Sequence, residues 1–236
     1  MGEKRTIRES VIDEELNQEF ELIRSHIDNK FKNKKIFISS SFQTHSIPLL
    51  HIIHRINKNI PVFFLNTGYH FPETLSYKET ISRLLGLEII DILPSTPKNH
   101  QKDDKGNLFF TSDPDYCCYL NKIQPLEPIL IEYDVWISGV RAEQTENRKT
   151  LKLIDQGPFN ITRYHPMINW TKNQIRKYID LYDLPAHPLD YQGYSSIGCI
   201  PCTRKMSLST IDERSGRWAG LTKTECGLHT QMVVRD

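Results

Sequence analysis

The chain has no apolar run long enough to span a bilayer, and no apolar stretch follows its first residues, MGEKRTIRES. The first absence argues against a membrane span and the second against an export signal. Gly2 and Thr6 fit the outline of a myristoylation signal, but Glu3 and Lys4 lend it no support. A cytoplasmic chain is therefore the expectation. An excess of one charge is missing too. With 30 Lys and Arg residues against 29 Asp and Glu, the net charge is +1. Nothing calls for a nucleic-acid partner, while a local basic pocket for a small anion stays compatible with that balance. There is no internal repeat and no low-complexity tract. Cysteine is sparse, five in 236 residues. In a reducing compartment such cysteines are more often metal ligands or nucleophiles than disulfide partners.

What is present is an ordinary globular composition, 38% hydrophobic and 25% charged. The length suits one substantial core or two small ones. Ser10 reads as the cap of a helix carried by Ile12, Leu16, Phe20, Ile23 and Ile27, ending near residue 29. The apolar run at 35–38 reads as a strand that ends in the polar loop SSSFQTHS (39–46). A helical pattern over Leu49, Leu50, Ile52, Ile53 and Ile56 follows. Residues 61–65 read as a second strand. Residues 72–85 read as a helix with Pro72 in its first turn and Gly86 as its C-terminal cap, and 87–93 as a third strand. Residues 94–115 have no periodicity and read as a loop, followed by a short helix that Pro125 or Pro128 ends. Residues 135–137 and 161–167 are further strands. Thr171 with Gln174 forms a capping box for a helix over Ile175, Tyr178 and Ile179 that stops before Pro185. After Pro188 the chain is punctuated by Gly, Ser and Pro and is expected to lie over the sheet.

This alternation implies an α/β fold, a parallel twisted sheet flanked by helices, because each parallel return needs a crossover. Ligands are then expected beyond the carboxyl ends of the strands. Three polar loops leave strands there: SSSFQTHS, NTGYHFPET (66–74) and SGVRAEQT (138–145). Hydroxyls and backbone N–H groups at a strand–loop–helix junction suit an anion. Ser39, Ser40 and Ser41 in the first loop, with Thr67 and Gly68 in the second, are the candidate substrate contacts.

Cys199 and Cys202 form GCIPC, Cys117 and Cys118 are adjacent, and Cys226 stands alone in ECGLH. A C-x-x-C offers two thiolates from one loop, here stiffened by Pro201. Adjacent cysteines cannot easily bind one tetrahedral ion. A [4Fe–4S] cube has separate iron corners that neighbouring thiolates can share out. A four-cysteine zinc site usually uses two C-x-x-C knuckles. Three readings stand on spacing: a cluster, which the CC pair favours, a zinc site, and buried small cysteines beside a lone redox dithiol. Cys226 has Gly227 beside it and Lys223 and His229 nearby. Those cations, or arginines close by, would lower its pKa and make it a nucleophile. The alternative is an inert cysteine on the tail of the chain.

With CC at 117–118, GCIPCTR at 198–204, ERSGRW at 213–218 and ECGLH at 225–229, the chain resembles the assimilatory adenylylsulfate (APS) reductases of the APS/PAPS reductase family, iron–sulfur type. LNTGYHFPET at 65–74 and SGVRAEQ at 138–144 match as well, and the resemblance covers roughly residues 30–230. It implies an adenine-nucleotide α-hydrolase-like fold with nucleotide at the strand ends. It divides the chain into an N-terminal helix (1–30), a nucleotide- and cluster-binding α/β domain (31–204) and a flexible C-terminal tail (205–236) carrying the catalytic cysteine. It implies that Cys117, Cys118, Cys199 and Cys202 bind one [4Fe–4S] cluster and that Cys226 attacks the substrate sulfur. Lys122 would bridge cluster and sulfate, and Arg141, Arg214 and Arg217 would hold the phosphosulfate. There is one departure: related pyrophosphatases use an S-G-G-x-D-S loop and many reductases keep a glycine after SSSF, where this chain has Gln43. The implied reaction, in sulfate assimilation, turns APS into sulfite and AMP through an S-sulfonate on Cys226. With four cysteines as ligands no second thiol is left, and the chain stops at Asp236 without a thioredoxin-like domain, so external thioredoxin is the expected donor. The alternatives are 3′-phosphoadenylylsulfate (PAPS) as the substrate, and a zinc-stabilised nucleotide-binding module. A homo-oligomer is left open.

Overall fold

Short apolar runs bounded by polar turns form the centre of the molecule in the computed structural model. It describes residues 2–205, 214–218, 223, 225 and 227–229, with the side chains of 2–13 and 229 outside the description. The strands are β1 (Ile36–Ser39), β2 (Val62–Leu65), β3 (Ile89–Ile92), β4 (Val135–Ser138), β5 (Ile154–Gln156) and β6 (Thr162–Tyr164). They form one six-stranded sheet in the order β3-β2-β1-β4-β6-β5. All neighbours are parallel except β5, which runs antiparallel to β6. Around the sheet lie α1 (Gly2–Ser25), α2 (Ile47–Ile56), α3 (Pro72–Leu85), α4 (Phe109–Ser112), α5 (Pro114–Cys118), α6 (Gln124–Glu132), α7 (Glu146–Lys149) and α8 (Lys172–Leu181).

A sheet covered on both faces favours apolar residues on both sides of its strands, and Ile36, Phe37 and Ile38 of β1 supply them. Ile36 and Ile38 join a core with Leu16 and Ile23 of α1, Leu50 and Ile53 of α2 and Tyr178 of α8. Phe37, one residue on and therefore on the opposite face, packs with Phe63, Trp136 and the α6 residues Leu126 and Leu130. The Phe37 and Trp136 rings stack with centroids 6.1 Å apart and planes within 7°. Fully burying one such side chain stabilises the fold by about 1.5–3 kcal/mol. Two helix signals hold as read. Gly86 ends α3 in the left-handed conformation, φ +65, which a β-carbon would strain. At the start of α8 the Gln174 N–H donates to the Thr171 hydroxyl (3.2 Å) and the Thr171 N–H to Gln174 Oε1 (2.7 Å).

The structure differs from the sequence reading in several places, and the strand read over 161–167 is confined to Thr162–Tyr164 because the chain turns directly after it. α1 begins at Gly2, so Ser10 lies inside it and is not its cap; the first turns show no apolar stripe to follow. Neither Pro125 nor Pro128 ends a helix, and α6 runs through both. Pro125 sits in the first turn, where its missing N–H is not needed, and Pro128 forfeits only a single donor. The stretch 94–115 is not all loop, for it holds α4 and a 3₁₀ turn at Lys98–His100. β5 is three residues long, too short to show a period, and takes its conformation from pairing with β6. Among the described residues no helix is long and apolar enough to cross a membrane. The strand order reverses between β1 and β4, and a crevice opens at such a reversal.

Three histidines are built into this frame through neutral rings. His51 lies 2.9 Å from the Tyr178 hydroxyl, His165 2.8 Å from Ser138 Oγ and His187 3.1 Å from Thr74 Oγ1. Burial, first among the causes, pushes each down from 6.5 to about 4. In the unfolded chain they protonate near 6.5, so their stabilising contribution is complete above that pH and is lost as pH falls toward 4. The urea midpoint is expected to drop steadily between pH 6.5 and pH 4. A midpoint that stays level across that window would mean the rings are charged or solvated in the fold.

Candidate active site

The crevice at the reversal is a cleft of about 150 Å³ lined by Ser39, Ser40, Ser41 and His45 after β1 and by Ser138 and Gly139 at the end of β4. The serine loop is held by its own side chains. Trp136 Nε1 donates to Ser39 Oγ (2.7 Å), the Phe42 N–H to Ser40 Oγ (3.1 Å) and Gln43 Nε2 to Ser41 Oγ (3.0 Å). The left-handed residue in the loop is Phe42, φ +51, with its ring wholly buried; such a conformation in a bulky residue costs about 1–3 kcal/mol. Gln43 itself is extended, φ −80 and ψ 153, so the backbone does not require glycine there. Its side chain has another use. Gln43 Oε1 accepts the N–H of Ile197 at 2.7 Å, tying the serine loop to the segment that leads into GCIPC.

The cysteine side begins at Asp113, which caps α5 by accepting the Tyr116 N–H at 2.9 Å. That fixes the turn carrying Cys117 and Cys118, both buried. Cys117 and Cys199 share one apolar pocket with Tyr69, and Phe109, Phe110 and Cys202 pack against it. Asn121 Nδ2 donates to Cys117 Sγ (3.6 Å), and the Thr67 hydroxyl lies 3.3 Å from Cys199 Sγ. Burial pushes the Cys117 thiol up to about 11; Cys199 and Cys202 act in the same direction, and Lys122 pulls back. Burial raises Cys202 too. Among the described residues no three His, Cys, Asp or Glu side chains converge closely enough for a single metal ion. Three thiols around one pocket, with a fourth on the adjacent residue, are a soft donor set of the kind that takes iron–sulfur clusters, in which each iron holds its own thiolate.

Cations complete the cleft: Lys122, Arg148, Arg214 and Arg217 line it, and no carboxylate does among the described residues. Lys122 sits one turn beyond the cysteine pair, and its charge is felt at Cys117, Cys202 and His70. Arg217 Nε donates to the Cys202 carbonyl (3.2 Å) and Nη1 to the Ile197 carbonyl (3.4 Å). Its guanidinium lies 4.6 Å from the Trp218 ring centre. Arg148 grips Glu225 with two bonds, 2.9 and 3.0 Å, and Arg214 adds a third at 3.0 Å. His45 is half-buried, and desolvation followed by Arg141, Arg148 and Arg214 pushes it down to about 3, so it is neutral at physiological pH.

Of the residues singled out from the sequence, Ser39, Ser40, Ser41, Lys122, Arg214, Arg217 and Cys199 line the cleft. Thr67 stands on the cysteine side, against Cys199. Gly68, φ +72, is beside it and its carbonyl accepts from Lys98 at 3.3 Å. Arg141 is buried and paired with Glu143, not among the lining residues. Lys223 is paired with Asp115. Glu213 and Cys226 lie outside the described residues, as does the side chain of His229, whose backbone closes a 3₁₀ turn at Gly227–His229. Arg148 and Glu225 escaped the sequence reading as a pair. They are 77 positions apart, and an arginine after a polar loop reads as solvated.

Gly198 is needed beside Arg217, because a β-carbon there would lie 2.3 Å from its Nη2. Gly198→Ala is expected to displace the guanidinium and, with charge-assisted bonds lost, to destabilise the protein by about 1.5–3 kcal/mol. Arg217→Ala should cost a similar amount, and the double variant little more than either alone. Urea denaturation of the three variants checks this; additive losses would mean that Gly198 does not act through Arg217.

Residues 35–205 match the phosphoadenosine phosphosulfate reductase domain family. An adenosine 5′-phosphosulfate reductase of Bacillus cytotoxicus is 40% identical over 201 residues, 84% of this chain and 86% of the relative. Among solved structures, phosphoadenylyl-sulfate (PAPS) reductase from Candida auris in its phosphate complex superposes with a TM-score of 0.63 at 21% identity, covering 77% of this chain and 88% of that one. Candida glabrata FMN adenylyltransferase with FAD and inorganic pyrophosphate follows with a TM-score of 0.58 at 16% identity, over 84% and 70% of the two chains. The structural likenesses speak for the adenine-nucleotide α-hydrolase-like fold, and the sequence matches for more. By both its domain and its relatives, the chain belongs to the phosphoadenosine phosphosulfate reductase family.

Proposed function

We propose that the protein reduces adenosine 5′-phosphosulfate to sulfite and AMP, with thioredoxin as the electron donor and an S-sulfonate on Cys226 as the intermediate. The observation that carries this reading is a shared wall. Cys199 lines the cationic cleft and belongs to the cysteine pocket, and Lys122 lines the cleft while its charge reaches Cys117 and Cys202. A relative named for APS reduction, 40% identical over most of both chains, supports the same substrate. The four-cysteine set favours APS over PAPS, and comparing turnover of the two nucleotides tests that choice.

In this reading Ser39, Ser40 and Ser41 offer hydroxyls to the nucleotide phosphate, and Lys122, Arg214 and Arg217 oppose the charge on the sulfate and the leaving phosphate. Arg141 and Thr67 act from behind, the first on the field at His45 and the second on Cys199. Cys117, Cys118, Cys199 and Cys202 would hold one [4Fe–4S] cluster per chain, whose ligation would tie the C-x-x-C loop to α5 and whose thiolates would supply negative charge on the cysteine side. The Cys226 thiolate attacks the sulfate sulfur, a sulfur–sulfur bond forms, and the electron pair of the broken S–O bond leaves with AMP. A thioredoxin thiolate then attacks Sγ of Cys226, releasing sulfite with the bonding pair. The second thioredoxin thiol resolves the mixed disulfide and restores the Cys226 thiol.

Two experiments test the reading. Replacing Cys117, Cys118, Cys199 or Cys202 by Ser in anaerobically prepared protein should lower bound iron and activity together. Full iron and activity in any one variant would remove that cysteine from the ligand set, and zinc in place of iron would point to a structural module. Mixed with APS and no reductant, the protein should gain the mass of one SO₃ group on the peptide containing Cys226 and lose it when reduced thioredoxin is added. Cys226→Ser should keep its iron and its nucleotide binding but make no sulfite. Sulfite produced without an adduct on Cys226 would overturn the covalent route.

A further inference from the structure

The segment that carries position 226 is fastened to the cleft on both sides. Before it, Glu225 is 5% exposed, a low value for a carboxylate. Its Oε1 accepts from Arg148 Nη2 (3.0 Å) and Arg214 Nη2 (3.0 Å), its Oε2 from Arg148 Nε (2.9 Å) and the Thr145 hydroxyl (3.1 Å). Thr145 also caps α7, accepting the Arg148 N–H at 3.2 Å, so the anchor stands on the structure that follows β4. After position 226, Gly227 fits against Ile123, whose Cδ1 would lie 2.8 Å from a β-carbon there. Leu228 packs with the Phe37 and Trp136 cluster and lines the cleft, and its carbonyl accepts from Arg163 Nη2 at 3.1 Å.

From this geometry we infer that Glu225 is a positioning residue: held by Arg148 and Arg214, its carboxylate latches the 225–229 segment on the cleft and so delivers the thiol of the next residue to the substrate sulfur. The inference rests on the proposed role of Cys226 as nucleophile. Consecutive α-carbons are 3.8 Å apart, so whatever fixes Glu225 also constrains the residue that follows it. Two guanidiniums share the one carboxylate, and among the described lining residues Lys122 and Arg217 add two further cations, which suits a substrate anion. The latch therefore coexists with the substrate and does not stand in for it.

The test uses the full iron-loaded chain in single turnover with APS and no reductant, following the Cys226 adduct by intact-protein mass spectrometry. Glu225→Gln keeps the shape and removes the charge. It is expected to slow adduct formation about 10–100-fold, as a displaced reacting group does, with bound iron unchanged and AMP affinity within a factor of about 3, since the arginines remain. Without nucleotide, alkylation of Cys226 by iodoacetamide should become several-fold faster than in wild type. Glu225→Asp, which keeps the charge but shortens the reach, should fall between the two and carries the comparison if the first variant fails to fold. Wild-type rates of adduct formation and alkylation in either folded variant overturn the latch. So does tighter AMP binding with faster adduct formation, which would make Glu225 a competitor of the substrate. If wild type itself forms no adduct, the nucleophile reading fails, and the alkylation rates still decide whether Glu225 latches the segment.

Discussion

The constraint on which the site depends is the crowding of positive charge at the ends of β1 and β4. Lys122, Arg148, Arg214 and Arg217 all face one small cleft with no carboxylate among its described lining residues. Like charges brought together in a partly dry space repel, so each cation needs a rigid hold. Arg217 is fixed by the carbonyls of Cys202 and Ile197, and Arg148 and Arg214 by Glu225. His45 is kept neutral first by burial and then by the arginines around it. An anion with several oxygens relieves the repulsion at a stroke. A strand-order reversal supplies such a place because two adjacent strands send their loops to opposite sides.

The anion cleft and the thiol pocket are joined by side chains that belong to both. Gln43 links the serine loop to the chain before GCIPC, Arg217 links GCIPC and the residue before it to the segment at 214–218, and Cys199 faces each compartment. The C-x-x-C loop and the cationic cleft are therefore joined through direct hydrogen bonds. No long-range electrostatic argument is needed for the two compartments to feel one another.

Much of this was legible in the sequence, for definite reasons. Buried parallel strands favour apolar residues on both sides, so 36–38 and 62–65 announced themselves, and Gly86, Thr171 and Gln174 are residues whose local chemistry fixes a helix end. The residues with chemistry were legible as motifs, but their neighbourhoods were not. Thr67 looked like a loop hydroxyl for substrate and stands against a thiol. Arg141 looked like a phosphate ligand and is buried against Glu143. Gln43 looked like a missing glycine and is a strut. For Thr67 and Gln43 a partner more than a hundred positions away decides what the polar side chain does, whereas Arg141 pairs two positions along its own loop and is turned inward by burial. β5 and the passage of α6 through Pro128 escaped for the opposite reason, since three residues or one proline carry too little pattern to outweigh their surroundings.

The position of β1 has a consequence for how the chain is made. β1 lies between β2, which follows it closely, and β4, which begins about a hundred residues later. A ribosome adding about 5–20 residues per second leaves the second edge of β1 without its partner for roughly 5–20 s. During that time the β1–β2 pair presents an open, apolar strand edge, the feature most prone to join the wrong chain. The run Lys34-Lys35 immediately before β1 puts charge at the start of that edge, where it discourages another nascent strand from docking before Val135–Ser138 arrives.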